Sequence, residues 1–198
     1  MTMLPVTGKR ILLRDMILDD LPAWEQWTMP GNAWHELDGP YYPKPSPDDV
    51  KKMVTGAQAR IETGEWPEPR RRLVIADVDT DGLLGLVTAA WESEETNWLL
   101  IGIVVFDPEH WGRGYGYEAL GLWCDYLLAA LPELARLDLR TWSGNHGMMA
   151  LARKLGFTEE ARFRKARIVN GEYFDGMGYG ILRKEWDARY PDGFAASL

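Results

Sequence analysis

A chain of 198 residues, 46% hydrophobic and 26% charged, has the balance of one globular domain, long enough for a full core and too short for two comfortable ones. Its formal net charge of −8 argues against nucleic acid as the main partner, since phosphate backbones are gripped by clustered Lys and Arg, and suits a cationic ligand such as an amine. No apolar run approaches a membrane span and Met1-Thr2-Met3-Leu4-Pro5 lacks a charged-then-apolar signal pattern, so the expectation is a cytoplasmic protein with no membrane partner.

In chain order, residues 10–14 read as a strand, and Asp19-Asp20 are placed to cap a helix running through Trp24 and Trp27. Residues 31–42 are aromatic, punctuated by Gly and Pro, and fit no regular element. Ser46-Pro47-Asp48-Asp49 starts a helix by three agreeing signals: a capping serine, a proline at the first helical position and an acid at the third. That helix should run to about Glu62, followed by a loop over 64–70. Residues 73–78 and 83–91 are β runs joined by Asp79-Thr80-Asp81-Gly82, where Asp-Gly supplies the positive φ of a hairpin. A third β run, 98–106, breaks at Asp107-Pro108 and passes through Trp111-Gly112-Arg113-Gly114-Tyr115-Gly116. Beyond that turn Ala119, Trp123, Tyr126, Leu127 and Ala130 recur at helical spacing until Pro132. Cys124 lies in this helix; as the only cysteine it excludes an intrachain disulfide and reads as a small core residue.

Residues 134–142 form another strand, and Asn145 caps a helix whose Met148, Leu151, Ala152 and Leu155 share a face and which Gly156 ends. Asn170-Gly171 is the strongest hairpin signal in the chain, linking 160–169 with 172–182. The tail after Trp186 packs on the domain or on a second subunit. This order predicts an α/β fold of the α+β kind, in which a mostly antiparallel sheet holds a central strand, loop, helix and strand with flanking helices.

The chemistry centres on the glycine-spaced turn. A strand feeding a glycine-rich turn feeding a helix makes a phosphate cradle, because consecutive backbone N–H groups converge on one anion at the positive end of the helix. A nucleoside-triphosphate loop would need Gly-Lys-Ser/Thr, and here Tyr117-Glu118 follow Gly116. Gly114-Tyr115-Gly116-Tyr117-Glu118-Ala119 does fit the dinucleotide fingerprint, but the acid expected about twenty residues later to end a strand is Asp138, with the strand still running.

The turn resembles the acetyl-CoA pyrophosphate loop of the GNAT superfamily of N-acetyltransferases, Gln/Arg-x-x-Gly-x-Gly/Ala. Trp111 before Gly-Arg-Gly is similar to the RimJ/RimL-type branch. Asn145 with Leu155-Gly156-Phe157, the basic run Arg164-Lys165-Ala166-Arg167, Asn170-Gly171 and Tyr173-Phe174-Asp175 resemble the rest of that branch's pattern, in order. The resemblance implies a single acetyl-CoA-dependent domain over 1–198 that needs no metal. Acetyl-CoA would be held by Val104, Val105, Phe106, Trp111, Gly112, Arg113, Gly114, Tyr115, Gly116, Tyr117 and Asn145. The Val105 backbone amide, where two central strands splay, would donate to the oxyanion, and Asn145 would touch the pantetheine arm or an ordered water beside its capping role. The acceptor would be an amine, a protein N-terminus or a small molecule, in an aromatic pocket of Trp34, Glu36, Tyr41, Tyr42 and Trp91, with Trp66 nearby.

The family's usual general base and acid positions are Leu100 and Ala152 here, and the serine of some members is Met148. A free α-amine with pKa near 7.7 to 8.0 is substantially neutral at cellular pH, whereas deprotonating a lysine near 10.4 costs roughly 4 kcal/mol. A site without a strong base therefore favours a low-pKa amine, or borrows a water relay or an acid such as Glu36 or Glu92. A non-catalytic acyl-CoA-binding module is the competing reading. His35 and Glu36 are expected as ordinary loop residues, the Arg162, Arg164, Lys165, Arg167 series as a solvated strand face, and the aromatic load is compatible with a homodimer.

Overall fold

Eight strands form one sheet: β1 (Val6–Thr7), β2 (Ile11–Arg14), β3 (Arg72–Asp77), β4 (Leu83–Ser93), β5 (Trp98–Val105), β6 (Arg136–Trp142), β7 (Thr158–Val169) and β8 (Glu172–Leu182). Their order is β1-β2-β3-β4-β5-β6-β8-β7 in this computed structural model, which describes residues 4–198. Met1-Thr2-Met3, the start of the stretch read for a signal, lie outside the described residues. All neighbours pair antiparallel except β5 and β6, which are parallel and joined through a helix. The expected mixed, mostly antiparallel fold is the observed one.

Alternation along the strands sorts the core into two layers. Val74, Ala76, Leu86 and Phe106 face α1 (Leu21–Thr28) and α2 (Pro47–Thr63) with Trp24 and Leu21. Leu73, Ile75, Val87, Ala89, Leu99 and Ile101 face the larger cluster under α3 (Tyr115–Ala130) and α4 (His146–Leu155), which α5 (Arg183–Arg189) completes through Trp186.

Local signals act as the sequence anticipates at several points. Ser46 Oγ accepts the Asp49 N–H (3.2 Å) while Asp49 Oδ2 accepts the Ser46 N–H (3.1 Å), closing the capping box of α2. Asn170 and Gly171 both take positive φ (51° and 81°), and Val169 pairs with Glu172 across them.

Elsewhere the structure differs. Asp20 precedes α1 but makes no side-chain cap: its buried carboxylate takes two hydrogen bonds from Arg14 (2.7 and 2.9 Å) and the Ile17 N–H. At the β3–β4 connection only Asp81 has positive φ (57°), so Gly82 does not act as the second left-handed residue. Residues 31–42 include a short 3-10 turn, Ala33–Glu36. Met149 takes the buried position in α4 beside Ala152 and Leu155, with Met148 and Leu151 half-buried. β1 and α5 had no sequence expectation. The tail packs on its own domain: Phe194 is buried, its N–H reaches Asp125 Oδ2 (2.6 Å), and a Cβ on Gly121 would stand 2.2 Å from its ring.

Candidate active site

The sheet opens at its centre. β5 and β6 share only two register pairs, Leu99 with Leu137 and Leu100 with Asp138, and then diverge toward their carboxyl ends. Parallel strands that separate leave backbone groups on the facing edges without ladder partners.

Which groups those are follows from the β4 side. The Phe106 N–H is donated to Leu84 O (3.0 Å), and the antiparallel register carries the bonding alternation back to Val104 with Leu86 and Gly102 with Thr88. The amides of Val104 and Phe106 are therefore turned to β4, which corrects the expectation that they line the opening. Those of Ile103 and Val105 point the other way, into the gap. Trp111 Nε1 donates to Val105 O (2.8 Å), so the turn is fastened to the residue whose N–H faces the gap.

The glycine turn begins with a short 3-10 segment, Pro108–His110, capped by Asp107, whose side chain accepts from the Glu109 N–H (2.8 Å). Gly112 (φ 70°) and Gly114 (φ 90°) hold left-handed conformations that a residue with a Cβ adopts only with strain, and Gly114 is the N-cap of α3. Gly116 is ordinary helix with room around it, so the third glycine is not required by the turn. The first intrahelical bond runs from the Glu118 N–H to Gly114 O (3.1 Å). Upstream of it, the backbone amides of Gly112, Arg113, Gly114, Tyr115, Gly116 and Tyr117 donate to nothing among the described residues. Six consecutive unpaired N–H groups at a helix N-terminus, beside the mouth of the gap, form an anion cradle.

A buried acid that the sequence reading passed over holds this cradle in place. Glu118, 1% exposed, accepts the backbone N–H groups of Arg10 (2.8 Å) and Ile11 (3.2 Å) through Oε1, and the Arg10 Nε (3.3 Å) through Oε2. Arg10 then donates Nη1 to Arg113 O (2.5 Å) and lies over the Tyr115 ring, 5.0 Å from its centroid. The only sequence signal was an acid among the apolar residues of α3.

On the far side of the gap, Asn145 caps α4 by accepting the Met148 N–H (2.9 Å), while its Nδ2 donates to Leu37 O (3.1 Å). Trp142 Nε1 donates to the same carbonyl (3.0 Å). One N–H of the Asn145 amide thus remains for a ligand. The loop before α2 is tied to the end of β6 through the Leu37 carbonyl, and Asp38 is the next residue along it. Asp38 is exposed overall, yet partial desolvation of its carboxylate pushes its pKa up, opposed by the charges of Lys44 and His35. Asp38 forms no ion pair among the described residues, and nothing in its sequence context singled it out.

The aromatic pocket is only partly assembled. Trp34 packs edge-on against Phe106 (5.6 Å) and donates Nε1 to Trp27 O (2.7 Å), so it belongs to the core under α1. Trp91 lies against the opposite layer, beneath the Arg71 guanidinium (4.9 Å), because side chains on β4 alternate and it shares a face with Val87 and Ala89. That removes Trp91 from a pocket with Trp34; Trp66 stays on the α2 side. Tyr41 sits under the Arg167 guanidinium (4.7 Å) and edge-on to Tyr42, which is 62% exposed, so Arg167 leaves the solvated series to reach this loop. Glu36 is exposed, and His35 is buried against Trp34. Glu92 is committed to Arg140 (2.7 Å), and Ala152 is fully buried.

Comparison with known proteins places this geometry. Residues 10–158 match the acetyltransferase (GNAT) domain family. The uncharacterized N-acetyltransferase YokL, derived from the SPbeta prophage of Bacillus subtilis, is 21% identical over 184 residues, covering 93% of this chain and 96% of the relative. The fold is similar to spermidine N-acetyltransferase from Vibrio cholerae in complex with CoA and spermine (TM-score 0.70, 21% identity, 89% of this chain and 97% of that one). It is also similar to the RimL ribosomal L7/L12 alpha-N-protein acetyltransferase in complex with coenzyme A (TM-score 0.67, 21% identity, 89% and 96%). Among the described residues no helix is long and apolar enough to cross a membrane, and no group of three or more His, Cys, Asp or Glu could hold a metal ion.

Proposed function

The chain belongs to the acetyltransferase (GNAT) family, and on that premise we propose that it transfers an acetyl group from acetyl-CoA to a low-pKa amine by direct attack on the thioester. The row of unpaired amides from Gly112 to Tyr117 carries this reading, because a diphosphate satisfies several of them at once at the positive end of α3. Acetyl-CoA supplies the activated carbonyl and a thiolate leaving group.

The chain's own residues do the rest. Arg10 and Glu118 fix the cradle, and Trp111 ties it to Val105. The Val105 N–H, facing the gap, donates to the oxygen on which negative charge develops, and Ile103 offers a second amide on the same edge. Leu100 and Ala152 supply no proton acceptor or donor, so the attacking amine arrives neutral. Asp38 is the carboxylate the fold offers for its second proton, since a raised pKa makes a carboxylate a stronger base near neutrality.

The acceptor class, a protein N-terminus or a small amine, belongs to this reading, as do a cytoplasmic location and a homodimer. The RimJ/RimL-type branch is supported by Trp111 before Gly-Arg-Gly; the fold itself fits the spermidine and the ribosomal-protein enzymes about equally. The apolar residues at 100 and 152 favour one competing reading, a module that binds acyl-CoA without turnover. Incubation with acetyl-CoA and a panel of amines, following thiol release, separates the two. Release that depends on an amine and rises with pH up to the acceptor's own pKa is expected. Tight coenzyme A binding with no release on any acceptor, including a whole-cell peptide extract read by mass spectrometry, would leave the module.

A further inference from the structure

Arg72 opens β3 on the face that carries Val74 and Ala76, the face of α1 and α2. Its cross-strand partner is Thr88 on β4, whose partner on β5 is Gly102. Gly102 stands two residues past the last β5–β6 pair, at the opening of the gap, and a Cβ there would lie 2.8 Å from Thr88 Oγ1. Gly102, Thr88 and Arg72 thus form one row across three strands. With neighbouring strands about 4.8 Å apart, the row spans roughly 10 Å from the gap to the Arg72 backbone.

At its outer end is a cavity of about 90 Å³ lined by Ala57, Arg60, Trp66, Arg70, Arg72 and Val74 among others. On this measure one water needs about 10–15 Å³, so the cavity admits several waters or a small oxyanion. Arg70 is neutralised by Asp15 (2.8 and 3.0 Å) and by Glu68. Arg60 and Arg72 are different: among the described residues neither guanidinium donates a hydrogen bond or meets a carboxylate within ion-pair distance. They stand close enough that the Arg60 charge, after desolvation, helps to lower the Arg72 pKa. Both residues are exposed, so water solvates them, and their guanidinium donors stay open to an incoming oxyanion, which such a fork grips in a fixed geometry.

We propose that this cavity is an oxyanion subsite for the acceptor, and that the acceptor is an amine bearing a carboxylate or phosphate several bonds from its nitrogen, with Arg60 and Arg72 gripping the anion while the amine reaches the gap beside Gly102. The subsite rests on the acetyl-transfer reading for its role but not for its existence. It departs from a polycationic acceptor, which the two unpaired arginines would repel.

Two measurements test it. With coenzyme A saturating the glycine turn, inorganic phosphate is titrated against the protein and followed by tryptophan fluorescence, Trp66 being in the cavity wall. Saturable binding is expected, weakened at least tenfold in Arg72→Gln and Arg60→Gln, partly restored in Arg72→Lys and unchanged in Arg164→Gln. Equal phosphate binding in all five proteins overturns the subsite. In the second, acetyl transfer is compared between amines carrying a carboxylate, amines carrying a phosphate, and their uncharged amide or ester analogues. An anionic preference of at least tenfold in kcat/KM is expected, lost through KM in Arg72→Gln, with the better of the two anions identifying the head group. Normal transfer with no anionic preference overturns the proposal while leaving the acetyltransferase standing. Arginine-dependent phosphate binding with no transfer to any amine keeps the subsite and removes its assigned role.

Discussion

Glu118 is acidic, buried and surrounded by three donors that no other group satisfies, so it is the residue on which the cradle's position depends. Removing the carboxylate in Glu118→Ala strands the Arg10 and Ile11 N–H groups and leaves Arg10 held to the turn only through Arg113 O and the Tyr115 ring. The expected loss is about 2–3 kcal/mol in urea unfolding, with coenzyme A affinity reduced severalfold by calorimetry. Glu118→Gln keeps one accepting oxygen and should cost less on both counts. An unchanged coenzyme A affinity in both variants would show that the cradle does not need this clamp. Asp38 makes the opposite case. Its pKa is raised in the folded protein, so ionising it opposes folding: the stability linked to its neutral form is present below the unfolded pKa and is lost as pH rises through the folded one. Asp38→Asn is therefore expected to unfold at a higher urea concentration than the wild type at pH 7 and at the same concentration at pH 3. Its kcat should fall if the carboxylate accepts the amine's proton. Loss of stability at pH 7 would contradict this assignment.

Among the elements, α4 and the loop before α2 meet at one side chain. Asn145 caps the helix with its oxygen and tethers Leu37 with its nitrogen, so two substitutions separate the roles. Asn145→Asp keeps the cap and loses the tether, and should retain most of the stability while raising KM for the acceptor. Asn145→Ala loses both and should cost about 1–2 kcal/mol. Equal stability for the two variants would mean that the cap contributes nothing. The strand-to-turn element shows why a run of apolar residues reveals less than its register. Residues 98–106 read correctly as a strand, yet the three residues expected in the opening divide by parity: Val105 faces the gap, while Val104 and Phe106 bond β4. Period-two alternation is visible in sequence, but which parity meets which neighbour depends on the pairing partner.

For the whole molecule, five carboxylates with lowered pKa set the response to acid, among them Glu95, held down mainly by its own backbone N–H. Asp77 is held down mainly by the Thr80 N–H, Asp49 by the Ser46 hydroxyl, Glu159 by Arg162, and Asp175 by the Lys165 N–H. Each contributes stability above its unfolded pKa, near 3.9 for Asp and 4.3 for Glu, that is lost as pH falls through the folded value. Asp38 and Asp125, raised chiefly by desolvation, act against this trend and are fewer. The urea midpoint should therefore drop as pH falls below about 4, and a midpoint that rises there would mean that the two raised groups dominate. The net charge of −8 suggested a cationic ligand, but charge is local: Arg60 and Arg72 share a cavity that a whole-chain sum does not reveal. By itself the sequence determined the elements, the glycine turn, the α2 capping box and the closing hairpin, because those signals act between residues a few positions apart. Only the tertiary structure decided that β5 and β6 part after two pairs, that Glu118 reaches Arg10 across 108 positions, that Trp91 and Trp34 lie on opposite faces, and that Asn145 and Trp142 hold the Leu37 carbonyl. Each of these depends on which distant segments the sheet brings side by side, and no local pattern encodes that.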